Sequence, residues 1–230
     1  MSNTNKPKYR YERKSYITEL SEYEVEDILR THPAIFSEIF IQRYVNNIYF
    51  DSFSFNNYYD NIEGNTDRVK IRVRWYGNLF GAIDKPTLEI KIKKGLLGKK
   101  ISMPIKPFFL NKDTSVGDIL ASNAQLQDSL MFDFNSLEPS LMNQYLRKYY
   151  KSCNGHFRIT VDTNQLFYGI NKQNNFFLNQ ISDKKSVILE LKYDEEYDSE
   201  ANNITSIFPF RVTKSSKYVN GVQKIYNMSF

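Results

Sequence analysis

Residues Arg68 to Trp75 read Arg-Val-Lys-Ile-Arg-Val-Arg-Trp. In an extended strand, successive side chains point to opposite faces. Arg68, Lys70, Arg72 and Arg74 therefore share one face, and Val69, Ile71, Val73 and Trp75 the other. The apolar face suits an ordinary core. The cationic face cannot be buried unpaired, because isolated buried charge is costly. It requires water or a dense anion, and a row of guanidinium forks matches phosphate oxygens.

The alternation recurs. Glu89, Lys91 and Lys93 share a face in Leu88–Lys93, as do Arg158, Thr160 and Asp162 in Phe157–Asp162, and Glu190 and Lys192 in Leu189–Lys192. Near the start Arg10, Glu12 and Lys14 stand two apart, with Tyr11 and Arg13 between them. Any one such segment is most economically a solvated face of an antiparallel sheet. Taken together they fit that reading less well, because the first strand is wholly cationic and the others add only a few carboxylates. A sheet of these segments can close into a barrel with a charged interior and an apolar exterior covered by helices. Such an interior suits a polyanion with a metal ion attached.

The elements that must carry these residues follow from composition and punctuation. A chain of 230 residues suits one large domain with a real core. An aromatic content of 15% favours β structure. The net charge of +5 steers anions only weakly, so the informative charge is local. The single cysteine, Cys153, allows no internal disulfide and lies in a Ser-Cys-Asn-Gly turn with no histidine patterned beside it. His32 and His156 are too few and too scattered for a zinc site. No run reaches the length of a membrane span. Residues 1–8 are polar and lack the apolar stretch of a signal peptide, so they read as a flexible arm ahead of a single domain over residues 9–230. A soluble, cytoplasmic protein is expected.

Along the chain, a strand over Arg10 to Ile17 precedes the capping box Ser21-Glu22-Tyr23-Glu24. The helix it opens, striped by Val25, Ile28 and Leu29, stops before Pro33. Ala34 to Ile41 reads as a turn or loop, Tyr44 to Phe50 as a strand, and residues 52–66 as an Asn/Ser/Tyr-rich connection. Thr87–Lys93 and Lys99–Pro104 flank a glycine-bounded turn, as a hairpin would. From Ser115 to Tyr150 the spacing of Val116, Ile119, Leu120, Leu126, Leu130, Leu137, Leu141, Tyr145 and Leu146 predicts helix. Strands resume at 156–162, 165–169 and 186–193, and an acidic, helix-compatible patch follows Asp194. The economical fold class is α+β, a barrel with a helical insert.

Seven segments appear in order: Arg-Tyr-Glu-Arg-Lys, Val-Asn-Asn-Ile-Tyr-Phe-Asp, Arg-Val-Arg-Trp-Tyr-Gly, Leu-Glu-Ile-Lys, Arg-Ile-Thr-Val-Asp-Thr, Leu-Glu-Leu-Lys and Ser-Ser-Lys-Tyr-Val-Asn-Gly. Together they resemble the VTC domain, the polyphosphate polymerase branch of the triphosphate tunnel metalloenzymes, over roughly Tyr9 to Val222. The resemblance implies a closed antiparallel eight-stranded β-barrel with helices packed outside. Its Lys and Arg would grip ATP and inorganic polyphosphate or triphosphate, and a carboxylate would hold Mn²⁺ or Mg²⁺. Position by position, Lys14, Arg72, Arg74, Lys91, Lys100, Arg147, Arg158 and Lys217 match basic residues of the tunnel, and Glu190 matches its metal-binding glutamate. Arg72, Arg74, Lys91, Arg158 and Lys217 are expected to act on the transferring phosphate. Arg10, Lys14, Arg68, Lys70, Lys100, Arg147 and Lys192 are expected to bind substrate. Glu12 and Glu89 join Glu190 either as metal ligands or as ion-pair partners of the cations.

Relatives that hydrolyse triphosphate or make cyclic AMP begin with Glu-x-Glu-x-Lys, whereas this chain has Arg10-x-Glu12-x-Lys14, which leans toward the polymerase branch. Eukaryotic relatives add an SPX domain and membrane helices that this sequence lacks, so coupled transport is not expected. The rivals are a tripolyphosphate or nucleoside triphosphate hydrolase and a non-catalytic polyphosphate-binding module. Nucleic acid is a poor fit, since aromatic residues should interleave with the cations on an exposed surface and here Trp75 and its apolar neighbours fall on the opposite face. An unidentified protein partner stays open.

Overall fold

The computed structural model describes residues 10–94, 97–123 and 133–228; the side chains of Arg10 and Leu97 are outside the description. The proposed arm at 1–8, the Gly95-Leu96 tip and the helical positions Leu126 and Leu130 also lie outside the described residues. In chain order the elements are β1 (Arg10–Ile17), α1 (Glu22–Thr31), β2 (Ser37–Asp51), α2 (Asn56–Glu63), β3 (Arg68–Tyr76), β4 (Gly81–Ile83), β5 (Thr87–Lys94), β6 (Leu97–Pro104), β7 (Phe108–Leu110), α3 (Val116–Ala121), β8 (Glu138–Lys151), β9 (Arg158–Tyr168), β10 (Gln180–Asp183), β11 (Val187–Asp194), α4 (Asp198–Ile207) and α5 (Lys217–Tyr226). No helix among the described residues is long and apolar enough to cross a membrane.

The strand order is β1-β11-β9-β8-β2-β3-β5-β6, with β10 on β9 and a separate β4-β7 pair. The pairs β1–β11, β11–β9, β2–β3, β3–β5, β4–β7 and β5–β6 are all antiparallel. This corrects the expectation of a closed barrel. Among the described residues the path is open, with β1 and β6 at its ends. Alternating strands dictate which face is charged, but they do not dictate that the outermost strands pair.

The chain forms two compact units, and β2, β8, β9 and β10 each contribute to both. The first unit holds the described residues up to 43, with Leu146–Asn164 and Asp183–Ser215. Its core gathers Ile17, Val25, Leu29, Ile159, Val161, Leu189, Leu191, Ala201 and Ile204 from β1, α1, β9, β11 and α4. The alternation read from Ile159 and Val161, and from Leu189 and Leu191, is therefore buried as expected. The capping box is present: Ser21 accepts from the Glu24 backbone N–H, and the Glu24 carboxylate accepts from the Ser21 N–H at 2.7 Å.

The second unit holds the described residues of Tyr44–Tyr145, with Gln165–Ser182 and 216–228. Ile71, Val73 and Trp75 of β3 pack with Leu88 and Ile90 of β5 in its core. Each such side chain stabilises the fold by about 1.5–3 kcal/mol on burial. On the other face of the strands, Tyr49, Leu141 and Phe167 pack beneath α5 with Tyr218, Val222 and Ile225. Gly221 makes this approach close enough that a Cβ would collide with Leu141 and lie 2.6 Å from Phe167 Cδ1. Gly221→Ala is expected to cost about 1–3 kcal/mol through overpacking. A melting temperature lowered by several degrees in a thermal scan would show it, and an unchanged one would refute the tight contact.

Four sequence expectations require correction. Residues 137–150 are not helical, since β8 runs from Glu138 to Lys151. The four-residue spacing of Leu137, Leu141 and Tyr145 is also an even spacing, so it places Leu141 and Tyr145 on one face of a strand as readily as on a helix. Ser37 to Ile41 belongs to β2 rather than to a loop; its first eight residues are exposed on both faces, which leaves no alternation to read. The Asn-rich 52–66 segment contains α2. Its N-terminal amides are capped from a distance by Asp51, which accepts from Asn57 N at 2.9 Å and Tyr58 N at 3.0 Å. The two strands read at 156–169 form one, β9, with Asn164 at φ 50° marking the break. Asn is among the residues that tolerate this left-handed conformation.

Candidate functional site

In the second unit, pairing of β3 with β5 sets Arg72 opposite Glu89, Lys70 opposite Lys91 and Arg68 opposite Lys93. Pairing of β5 with β6 sets Lys91 opposite Lys100. Cross-strand partners share a face, so Arg68, Lys70, Arg72, Arg74, Lys91, Lys93 and Lys100 lie together with Glu89 as the lone carboxylate among them. Arg72 grips Glu89 Oε2 from Nε at 2.8 Å and Nη2 at 2.5 Å. Lys100 Nζ reaches Oε1 at 2.7 Å, and Arg74 Nη1 lies 3.6 Å from Oε2. Arg74 is also tied down, donating to Asn47 Oδ1 at 2.9 Å and to the Tyr145 hydroxyl at 3.1 Å. Lys70 Nζ donates to Ser216 Oγ at 2.9 Å, and Lys217 Nζ stands 4.6 Å from the centre of the Tyr145 ring.

Burial alone would raise the Glu89 carboxyl. Arg72, Arg74 and Lys100 outweigh it and hold the group at about 2. The ordinary carboxyl value for glutamate is about 4.3. The folded value is lower, so this contribution to stability is complete above about pH 4.5 and is lost as pH falls toward 2. It amounts to about 3 kcal/mol. Glu89→Gln is expected to flatten the fall in melting temperature between pH 5 and pH 2. Parallel curves for the two proteins would show that the carboxylate contributes nothing there.

In the first unit, β1, β11 and β9 align Glu12 with Lys192 and Arg158, and Lys14 with Glu190 and Thr160. Lys14 Nζ lies 2.6 Å from Glu12 Oε1 and 3.4 Å from Glu190 Oε1. Lys192 Nζ lies 3.1 Å from Glu190 Oε2, and Thr160 donates to the same oxygen at 3.4 Å. Arg147, on β8, forms a two-pronged pair with buried Asp162 at 2.5 and 2.7 Å, and its Nη2 stands 3.9 Å from Glu190. Arg158 is exposed.

The three carboxylates expected to hold metal separate into different surroundings. Glu89 is taken up by three cations. Glu12 and Glu190 flank the Lys14 ammonium, so a cation already fits between them. Among the described residues, no three His, Cys, Asp or Glu side chains converge as a metal cage. Mg²⁺ commonly binds through one or two carboxylates plus substrate phosphates, and the Glu12–Glu190 pair fits that donor set.

The family profile of the VTC domain matches residues 9–226. The chain belongs to the VTC domain family. Comparison with curated proteins gives no match. Among solved structures, a "putative adenylate cyclase" from Bacillus halodurans aligns with TM-score 0.51 and 13% identity, over 93% of this chain and 97% of that one. Another so described, from Vibrio parahaemolyticus, aligns with TM-score 0.50 and 11% identity, over 93% and 98%. The likeness is one of fold: this VTC domain shares with those structures its antiparallel sheet with accompanying helices.

Several residues that complete the two clusters of this VTC domain escape the charge pattern. Asn47, Tyr49, Tyr145 and Ser216 are neutral; strands β2 and β8 bring the first three to the arginines, and the cap of α5 brings Ser216 to Lys70. Asp162 carried a signal, since it follows Arg158 and Thr160 at two-residue spacing. Its partner Arg147 lies in a segment whose spacing reads as helix, so the charge pattern does not bring it out and only the family resemblance does.

Proposed function

We propose that this VTC domain is a metal-dependent phosphotransferase that moves the γ-phosphate of ATP onto a polyphosphate chain. The observation that carries the reading is the concentration of cations on one face of β3, β5 and β6, where Arg68, Lys70, Arg72, Arg74, Lys91, Lys93 and Lys100 share that face with Glu89. A row of guanidinium and ammonium groups on one face matches the oxygens of a chain of phosphates. Glu89 holds the Arg72 and Arg74 forks in place before any ligand arrives, which reduces the ordering cost of binding.

Phosphoryl transfer depends on positioning and charge stabilisation more than on covalent help from the protein. Arg72, Arg74, Lys91 and Lys217 in the second unit, and Arg158 in the first, are assigned to stabilising charge on the transferring group. Arg68, Lys70 and Lys100 in the second unit, and Lys14, Arg147 and Lys192 in the first, are assigned to holding the remaining phosphates; Arg10 is assigned with them from sequence. The attacking phosphate oxygen is already ionised, so no side chain need serve as general base. Glu190 with Glu12 would hold Mn²⁺ or Mg²⁺, which supplies Lewis-acid neutralisation of phosphate charge when bound.

Incubation of the purified protein with ATP and Mn²⁺, with products resolved on a gel, tests the reading. A ladder of polyphosphate is expected. Release of single phosphate with no ladder would replace the polymerase with a hydrolase. Tripolyphosphate binding without turnover would reduce the protein to a binding module.

A further inference from the structure

Asp51 is fully buried at the end of β2. Its carboxylate collects the backbone N–H groups of Ser52, Asn57 and Tyr58, and the hydroxyl of Tyr218 donates to Oδ2. A buried carboxylate with four donors is a well-satisfied anchor. Burial pushes its carboxyl up, opposed by these hydrogen bonds. Burial and the neighbouring Asp51 push the Tyr218 phenol up.

Tyr218 is the second residue of α5, and what it fixes follows from its neighbours in sequence. Ser216 caps the helix, accepting from Val219 N, and accepts from Lys70 Nζ as well. Lys217 extends over the ring of Tyr145, whose hydroxyl receives Arg74. The Tyr218 ring stacks on Tyr49 at 5.0 Å, and the Tyr49 hydroxyl receives Arg72 Nη1 at 3.4 Å. The first turn of α5 thus touches Lys70 directly and touches Arg72 and Arg74 through one tyrosine each. A helix end is the part of a helix most prone to fray, and here a bond to a buried carboxylate pins it.

We propose that Tyr218, through its bond to Asp51, is a positioning residue that holds Lys217 over the phosphate-binding face of β3. The proposal rests on the phosphate-binding reading above. It goes beyond that reading by assigning part of the site's affinity to two residues that meet no phosphate.

Tyr218→Phe keeps the ring stack on Tyr49 and removes only the hydroxyl. The experiment measures binding of inorganic tripolyphosphate by calorimetry to the wild type, Tyr218→Phe, Lys217→Met and the double variant. Tyr218→Phe is expected to weaken binding about tenfold in the wild-type background and to add almost nothing once Lys217 is gone, because a positioning effect vanishes with the group positioned. Equal weakening in both backgrounds overturns the proposal, since that is a general loss of packing, and so does unchanged binding by Tyr218→Phe. Failure of the wild type to bind tripolyphosphate sinks the phosphate reading and this inference with it. Asp51→Asn in the same cycle gives an independent arm should Tyr218→Phe fold poorly, and it must show the same dependence on Lys217.

Discussion

Arg72→Ala is expected to reduce ATP-dependent chain elongation by about 10²–10³-fold, the range found when one preorganised donor to a transition-state oxyanion is removed. Arg72 meets Glu89 through both Nε and Nη2, so its guanidinium plane is set before substrate binds. Arg72→Lys is expected to recover only part of the loss. An ammonium supplies the charge but not the planar fork that matches two oxygens at once. The melting temperature separates the two causes of a low rate. If Arg72→Ala melts with the wild type and elongates slowly, the guanidinium serves the reaction. If elongation stays within threefold of wild type, Arg72 is removed from the catalytic set and the functional reading loses its strongest cation.

The largest effect on stability is expected at Arg147. Its partner Asp162 has no exposed surface and receives both prongs of the guanidinium. Arg147→Met leaves that carboxylate buried and short of its partner, a loss on the order of 3–5 kcal/mol. For a chain of this size, each kcal/mol shifts the melting temperature by about 2–4 °C. A drop on the order of 10 °C is therefore expected in a thermal scan. Arg147→Met with Asp162→Leu replaces the pair by apolar side chains and is expected to regain most of the stability. The double variant also lacks the Arg147 guanidinium near Glu190, so restored stability with poor phosphate binding would separate the structural from the ligand-binding role. A melting temperature unchanged by Arg147→Met would show that the pair contributes little.

The charged faces were legible because period-two alternation is a local property. Val73 and Trp75 had to be buried if Arg72 and Arg74 were to face a ligand, and they are. The capping box at Ser21 was legible for the same reason, since four consecutive residues suffice to write it. What was not legible depended on partners distant in sequence. Asn47 and Tyr145 become ligands of Arg74 only through the pairing of β2 with β3 and the path of β8. The helical reading of Leu137 to Tyr150 failed because a four-residue interval serves both a helix and a strand. Pro139 was the available warning, since proline is poorly tolerated inside a helix. The open strand path was beyond reach, because the choice of edge strands is settled by no single segment.

The strict alternation of β3 also restricts how this gene can change. Deleting or inserting one codon between Arg68 and Trp75 would invert everything downstream of the lesion, sending guanidinium groups toward Leu88 and Ile90 and tryptophan toward water. The turn just ahead, at Gly64 to Asp67, can absorb the same lesion, because its residues are exposed and carry no alternation. Length variation in descendants of this sequence should therefore accumulate before Arg68 and stop abruptly there, a boundary drawn by the pleat rather than by any contact with a ligand.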